Sequence, residues 1–451
     1  MAKPSQIEAA TARLAAAIVD PAVFARDILN LSFEKFHGDW FNIQRYNRRS
    51  LILAPRGHGK TTVCTIVYAL WKILADPDAR ILIVSNTAAQ AYGFTREIQQ
   101  HLLGDTLRNL LGDPRGDKWT EMEFVVAGRK RIAKEATVTA LGVLGPMVGK
   151  HFDVIILDDV VNEDNVTTPL QRDKVDNWFR KVLLPCLEPD GSLHLIGTRY
   201  HHDDLYGRII AREQALRATS KREYYVHISR ALDGDSPLWP EAFDCDALEA
   251  LRREMGSALF GLQFQNDASL ARGALIRPEW VRYHDGAAPD DGYTVAAFDL
   301  AISQKETADY FAWALVRRCG ADYYVLDAGH KRITFDAQAR FIRQMWERRH
   351  PERLRVEVVA YQEALAQHLA ARGLPIERVK PHKDKVRRLQ RVQPLFENGQ
   401  VYIPHGLNDL EDELFSFPYG AHDDIVDALE MALSGAMRSR VSRKIFGPDI
   451  Q

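Results

Sequence analysis

Cysteine is scarce and scattered: Cys64, Cys186, Cys245 and Cys319 are the four in 451 residues, and no two form a CxxC pair. That pattern excludes a disulfide framework or a zinc knuckle and fits a reducing compartment. Excess charge is missing as well. The 59 Lys+Arg stand against 61 Asp+Glu for a net charge of -2, so no bulk field attracts nucleic acid and any basic surface has to be local. No apolar run approaches the ~20 residues of a membrane span. The opening stretch MAKPSQIEAATARLAAAIVD reads as an amphipathic helix without an apolar signal core. Repeats and low-complexity tracts are absent too. The expectation is a soluble intracellular protein of two or three domains, at roughly 150 residues each. Its 46% hydrophobic and 27% charged residues can bury a sizeable core.

What is present is an alternation. From about Leu51 to Thr198, apolar runs (LILAP, RILIVSN, FDVIILDD, LHLIGT) alternate with helical patterns, which is how buried parallel strands of a layered α/β sheet read. Between about Leu232 and Asp291 the texture turns to Pro, Gly, Asp and Trp with little periodicity. A second α/β unit starts at YTVAAFDLAIS and ends in the helix DDIVDALEMALSGAM. The boundaries expected are a first α/β domain over residues 1–231 with an N-terminal helical extension, a linker region over 232–291, and a second α/β domain over 292–451.

The first chemical signal is LILAPRGHGKTTVCTIVYAL, an apolar strand, a glycine turn and an apolar helix. A phosphate-binding loop needs backbone N–H groups facing the phosphates, a Lys on the β/γ-phosphates and a hydroxyl on Mg²⁺. Gly57 and Gly59 supply the turn, Lys60 the charge and Thr61 the hydroxyl, with Thr62 as the substitute. Arg56 adds a second cation for the γ-phosphate. Ala54 stands where the usual pattern has its first glycine. Downstream, VIILDD ends in Asp158 and Asp159. In ATPases of this class the first acid binds Mg²⁺ through water and the second polarises the attacking water. Thr198 and Arg199, at the tip of LIGTRY, are placed to sense the γ-phosphate. The cation completing the transition state is Arg56 in cis or an Arg from a neighbour; Arg129 and Arg131 in AGRKRIAK read as an ordinary solvated loop.

The second signal is acidic. Asp299 sits in an otherwise apolar strand, where a lone carboxylate is costly unless paired or metal-bound. Asp309 follows it. Glu357 falls in the middle of a second short strand, with Glu363 as the alternative acid. His422, Asp423 and Asp424 open the C-terminal helix, and Asp427 shares a face with either Asp. Acids so distributed are what a two-metal phosphodiester nuclease requires, with two divalent ions about 4 Å apart on the attacking and leaving oxygens. A favourable charge at a helix N-terminus is the plainer account of Asp423 and Asp424. Between these acids, ERVKPHKDKVRRLQR carries seven Lys/Arg against two acids, the density that phosphate backbones attract. Lys383, Lys385 and Arg388 are its leading contacts, and a solvated helix face is the alternative.

The ordered set APRGHGKTT, VIILDD, GTRY, FDLA, VEVVAYQEAL and HDDIVDALEMAL resembles the large terminase subunit of tailed bacteriophages, from about Phe36 to Arg438. The resemblance implies an N-terminal ASCE-type P-loop ATPase with a parallel sheet and a C-terminal RNase H-like nuclease. It implies a homo-oligomeric ring on the portal protein of a procapsid that pumps double-stranded DNA and cuts the concatemer, with a small terminase subunit choosing the DNA. The site implied is the host cytoplasm and the portal vertex, with no membrane. Cofactors implied are ATP with Mg²⁺ in the motor and Mg²⁺ or Mn²⁺ in the nuclease. Lys60 and Thr61 then match the nucleotide and Mg²⁺ contacts, Asp158 the metal support, Asp159 the catalytic glutamate's place and Thr198 the coupling motif. Asp299, Glu357 and Asp423 match the nuclease acids, with Asp424 and Asp309 accessory. Loops of the PRGHGKT form lacking the first glycine are familiar in that family. Phe36, His37 and Trp40 precede the loop at a distance suited to adenine. Two other readings stay open: a helicase-like ATPase whose second domain only binds nucleic acid, and a nuclease with a non-hydrolysing first domain. A structural shell component has no use for either site.

Overall fold

The computed structural model describes residues 15–216, 221–268, 275–286, 288–300, 310–358, 363–380, 384–420 and 422–438. The chain divides into two compact units, one of residues 1–248 with 260–269, the other of residues 249–259 with 270–451. The stretch 232–291 contributes to both.

The first unit is built on eight strands: β1 (Arg49–Leu53), β2 (Ile81–Ser85), β3 (Arg115–Trp119), β4 (Glu123–Val126), β5 (Val138–Gly142), β6 (Phe152–Asp158), β7 (Leu187–Gly197) and β8 (Tyr225–Ile228). Their order is β3-β4-β5-β2-β6-β7-β1-β8. From β5 to β8 all neighbours are parallel, and β3 and β4 extend the sheet antiparallel. The apolar runs are continuous because both faces are covered. Ile52, Ile81, Ile83, Val154, Ile156 and Ile196 enter one core, and Leu51, Leu53, Leu82, Val84, Ile155 and Leu157 the other, as the two-residue side-chain period requires. Four strands, β2 to β5, lie between the loop and the acidic pair in sequence. The strand carrying the loop, β1, and the one ending in acids, β6, both flank β7. All three open their C-terminal ends to the same edge, where α/β sheets bind ligands.

After a short hairpin of β9 (Leu232–Asp233) and β10 (Ser236–Pro237), the second unit contains β11 (Arg282–His284), β12 (Tyr293–Asp299), β13 (Phe311–Cys319), β14 (Asp322–Lys331), β15 (Arg353–Glu357), β16 (Ile376–Val379) and β17 (Val401–Pro404). The order is β11-β17-β14-β13-β12-β15-β16. Strands β12, β13 and β14 form an antiparallel meander, and β15 and β16 join β12 in parallel. Helix Asp424–Met437 packs across β12 and β13. Its Ile425, Ala428, Leu429, Ala432 and Ala436 meet Val295, Ala297, Ala312 and Ala314 in one core. Phe298, Phe311, Trp313 and Ile342 fill the opposite face. By the same alternation Asp299 stands on the side of Val295 and Ala297, which is the side this helix covers. Arg355, buried on β15, donates to the Met431 carbonyl at 2.6 Å and fixes the helix from beneath.

Candidate active sites

At the end of β1 the backbone answers the question of the missing glycine. The positive φ angles of the loop fall at Gly57 (79°) and Gly59 (76°), and Ala54 is not among the left-handed residues. Ala54 simply continues the strand, its N–H on the Gly197 carbonyl at 3.0 Å, so a side chain there costs nothing. Gly57 and Gly59 are different. A Cβ on Gly57 lies 2.8 Å from Phe243 Cζ, and one on Gly59 3.0 Å from His37 Nε2. His37 Nε2 also lies 2.9 Å from the His58 carbonyl, and the His58 ring stacks on Phe243 at 4.5 Å. His37 and Trp40, expected near adenine, are instead buried under the loop as its support. Trp40 Nε1 donates to Ser229 Oγ at 2.9 Å, and Phe36 packs edge-on against Trp40 and Trp239.

The chemistry-bearing side chains converge. Lys60 Nζ stands 3.1 Å from Asp159 Oδ2. Thr61 Oγ1 donates to Asp158 Oδ1 at 3.2 Å and Thr65 Oγ1 to Asp158 Oδ2 at 2.7 Å. Thr62 begins the π-helical turn Thr62–Val67 that leads into helix Tyr68–Ala75. Asp159 adopts a φ of 49°, a strained conformation of the kind that gathers at functional sites. Its N–H is held by the Ile196 carbonyl of β7 at 2.9 Å. Asp158 is fully buried; burial first, and the Asp159 carboxylate second, push its pKa up. An acid so placed, sharing a hydroxyl with Thr61, is a donor set that a divalent cation fits.

Two residues hold the rim that sequence reasoning missed. Arg56 is exposed, its N–H on the Gln263 carbonyl at 3.0 Å and its Nη1 on Gln263 Oε1 at 3.1 Å. Asn266 Oδ1 accepts from the Arg199 N–H at 3.2 Å, while its Nδ2 donates to the Ser229 carbonyl at 2.9 Å. No local pattern marks either residue, because their partners lie far away in sequence. Thr198 is buried at the tip of β7. Arg199 is committed to the His201 and His202 carbonyls and lies 3.6 Å from buried Asp204. Arg129 and Arg131 are held by the Glu135 carbonyl and by Asp153.

The second unit gathers its acids differently. Asp299 closes β12, and Glu357 is the last residue of β15 rather than its middle. Asp423 is the N-cap of helix Asp424–Met437. The Glu413 carboxylate anchors that helix start, accepting the Ile425 N–H at 2.8 Å. Asp427, one turn in, is buried and central; its spacing from Asp423 and Asp424 was the signal that it belongs with them. Burial, then the charges of Asp427, Glu357 and Asp424, push Asp299 up to about 8. Burial likewise raises Glu357 and Asp427. Glu363 pairs with Arg378 at 3.0 Å. Asp309 and Lys383 lie outside the described residues.

The expected DNA contacts Lys385 and Arg388 are placed inside this cluster, not on an exposed basic face. Lys385 Nζ is 2.7 Å from both Asp423 Oδ1 and Asp427 Oδ2. Buried Arg388 reaches Asp427 Oδ1 at 2.8 Å and Glu357 Oε2 at 3.4 Å. Helix Lys385–Glu397 turns Leu389, Val392 and Phe396 into the core, and its period carries Arg388 and Lys385 to the acids. Among the described residues no three His, Cys, Asp or Glu side chains converge closely enough to ligate one ion. As arranged, with cations between the carboxylates, the cluster does not fit a metal.

The fold and the two sites define a class: an α/β protein that joins a P-loop ATPase fold of the ASCE type to a C-terminal RNase H-like unit. Comparison with known proteins narrows it. Residues 296–435 match the family model described as Terminase RNaseH-like domain. The chain is 28% identical over 252 residues to the terminase large subunit of Enterobacteria phage T3, a match covering 50% of this chain and 42% of that relative. The match thus spans less than half the length of that relative. Large terminase structures from a thermophilic bacteriophage share the fold. The ADP complex aligns with TM-score 0.53 and 10% identity over 90% of this chain and 100% of that one. The ATP-gamma-S complex gives 0.52 and 10% over 90% and 99%. The resemblance to large terminase subunits is borne out. No described helix is long and apolar enough to cross a membrane.

Proposed function

We propose that this chain is the motor subunit of a phage DNA-packaging machine, which drives duplex DNA into a procapsid with ATP and cuts the concatemer. The observation that carries the reading is a pair of separate sites on one chain. The first sets Lys60, Thr61, Asp158 and Asp159 at one sheet edge; the second gathers Asp299 and Glu357 at strand ends of an RNase H-like sheet with Asp423, Asp424 and Asp427 at the start of the helix that covers it. In the motor the Gly57–Thr61 backbone cradles the nucleotide phosphates and Lys60 moves from Asp159 to their oxygens. Asp159 is thereby freed to accept a proton from the attacking water, and Arg56 reaches the γ-phosphate from the rim. Thr61 and Asp158 would hold Mg²⁺, which neutralises charge developing on the phosphates. Thr198, at the tip of the strand between Lys60 and the acids, reports loss of the γ-phosphate. Partners follow from the role: double-stranded DNA, a portal protein, a small terminase subunit and further copies of this chain in a ring, in the host cytoplasm.

The pairing of Lys385 and Arg388 with the acids favours a second reading, a helicase-like ATPase whose second unit only binds nucleic acid. Two assays separate them. Lys60→Ala should lower ATP hydrolysis by roughly 100-fold or more and leave cutting of supercoiled plasmid with Mg²⁺ or Mn²⁺ intact. Asp299→Ala should do the reverse. Absence of Asp299-dependent cutting transfers the case to the helicase-like reading.

A further inference from the structure

Two buried imidazoles hold the phosphate loop from behind, and their partners fix which way its peptides face. Burial lowers the pKa of His37 and of His58, so each ring is neutral at pH 7 and carries one proton. The Glu34 N–H donates to His37 Nδ1 at 2.9 Å, which leaves the proton of His37 on Nε2. That N–H donates to the His58 carbonyl at 2.9 Å. His58 is the opposite tautomer: its Nδ1 stands 3.0 Å from the Arg56 carbonyl, which can only accept. In a trans peptide the C=O and the following N–H point to opposite sides. With the Arg56 and His58 carbonyls drawn inward, the N–H groups of Gly57 and Gly59 are turned away from the imidazoles. Among the described residues no backbone carbonyl takes either N–H, whereas those of Arg56 and His58 are spent on Gln263 and Pro55.

We propose that His37 locks the His58–Gly59 peptide, and is thus a positioning residue for nucleotide phosphates rather than a contact to the base. The inference rests on the reading of the Gly57–Thr61 loop as a nucleotide site. A lock is needed because glycine is permissive. The freedom that lets Gly59 take a φ of 76° also lets the peptide before it turn over at little cost. Turned over, that peptide would aim the His58 carbonyl at the phosphates, and a donor to an anion would become a repelling dipole. The rings of Phe33, Phe36, Trp40 and Trp239 surround His37. In that apolar setting an unpaired carbonyl is costly, so the bond from Nε2 keeps the peptide in one orientation.

The test is calorimetric titration of the full chain with ATP-gamma-S and with inorganic tripolyphosphate, for wild type, His37→Gln and His37→Asn. A Gln amide reaches the place of Nε2 and keeps a donor to the His58 carbonyl. An Asn amide reaches only the place of Nδ1, so it keeps the acceptor for Glu34 and loses the lock. His37→Asn should bind both ligands about tenfold more weakly, the scale of one hydrogen bond to a charged group, and His37→Gln should stay close to wild type. Weaker ATP-gamma-S with unchanged tripolyphosphate overturns the lock and assigns His37 to the base. Equal losses in the two variants, or no loss in His37→Asn, overturn it as well. If wild type binds neither ligand, the nucleotide reading of the loop falls and the lock with it. Should His37→Asn not fold, the Gly59 amide resonance of glycine-labelled wild type decides. It should shift on tripolyphosphate binding, and an unmoved resonance overturns the proposal.

Discussion

His194 ties three elements around the phosphate loop together, and its chemistry makes that tie sensitive to acid. It lies on β7, fully buried, with Nδ1 2.9 Å from Ser50 Oγ of β1 and Nε2 3.1 Å from Tyr68 Oη of the helix behind the phosphate loop. Burial pushes its pKa down to about 3 from the ordinary 6.5. The folded chain therefore keeps the imidazole neutral at pH 5, whereas the unfolded chain protonates it. Unfolding takes up a proton, so stability rises with pH. The contribution is complete above pH 6.5 and is lost progressively as the pH falls toward 3. Between pH 7 and pH 5 the linkage relation makes the loss about 2 kcal/mol. Hydrogen exchange of the β7 peptide, corrected for intrinsic rates, reads this directly as a roughly 30-fold fall in protection. His194→Gln keeps hydrogen-bonding capacity but does not titrate, and it should flatten the difference. An equal pH dependence in wild type and variant would refute the reasoning, because it would place the acid sensitivity elsewhere in the unit.

Three further outcomes follow from geometry. Asp158→Asn keeps partners for Thr61 and Thr65 while removing a buried charge; the nucleotide-free melting temperature should hold or rise, and Mg²⁺ should no longer strengthen nucleotide binding in a fluorescence titration. Ala54→Gly restores the familiar loop pattern at a position that needs no left-handed backbone. It should leave ATP turnover unchanged and lower stability by roughly 0.5–1 kcal/mol in denaturant unfolding. Arg388→Met strips the buried partner from Asp427 and Glu357 and should cost about 3–5 kcal/mol in the second unit. A loss under about 1 kcal/mol, the scale of a surface pair, would show that Arg388 does not hold the cluster.

Strands β1, β2, β6 and β7 were legible because parallel strands covered on both faces have to be apolar throughout, and four such runs mark the chain. Gly57, Gly59 and Lys60 were legible for a local reason: a tight turn at the end of β1 demands left-handed backbone at two positions, and both are glycine. Strand β3 was not legible, since RGDKW mixes exposed and half-buried residues and has no apolar run to announce it, and β4 is only the four residues EFVV. The basic segment misled for a related reason. Charge density in a sequence does not say which way a helix face points, and here the apolar residues Leu389, Val392 and Phe396 determine the rotation of the helix and carry Arg388 inward. Gln263 and Asn266 had no signal at all, because their role is defined by backbone groups at Arg56 and Arg199 that only the fold brings near.

The two sites solve the same electrostatic problem in opposite ways, and the difference follows from what each must do. At the first site each acid has its own partner: Asp159 has Lys60, and Asp158 has two hydroxyls. At the second site Asp423, Asp427 and Glu357 share Lys385 and Arg388, and the pKa of Asp299 is raised by burial and then by its neighbours' charge. Crowding of that degree is destabilising by itself, and Lys385 and Arg388 are the cations that offset it. The two residues restraining the acids are not equivalent. Arg388 is buried and bridges Asp427 and Glu357, so its loss strands two acids inside the unit; Lys385 is half-exposed at a helix start, where water can take over part of its role.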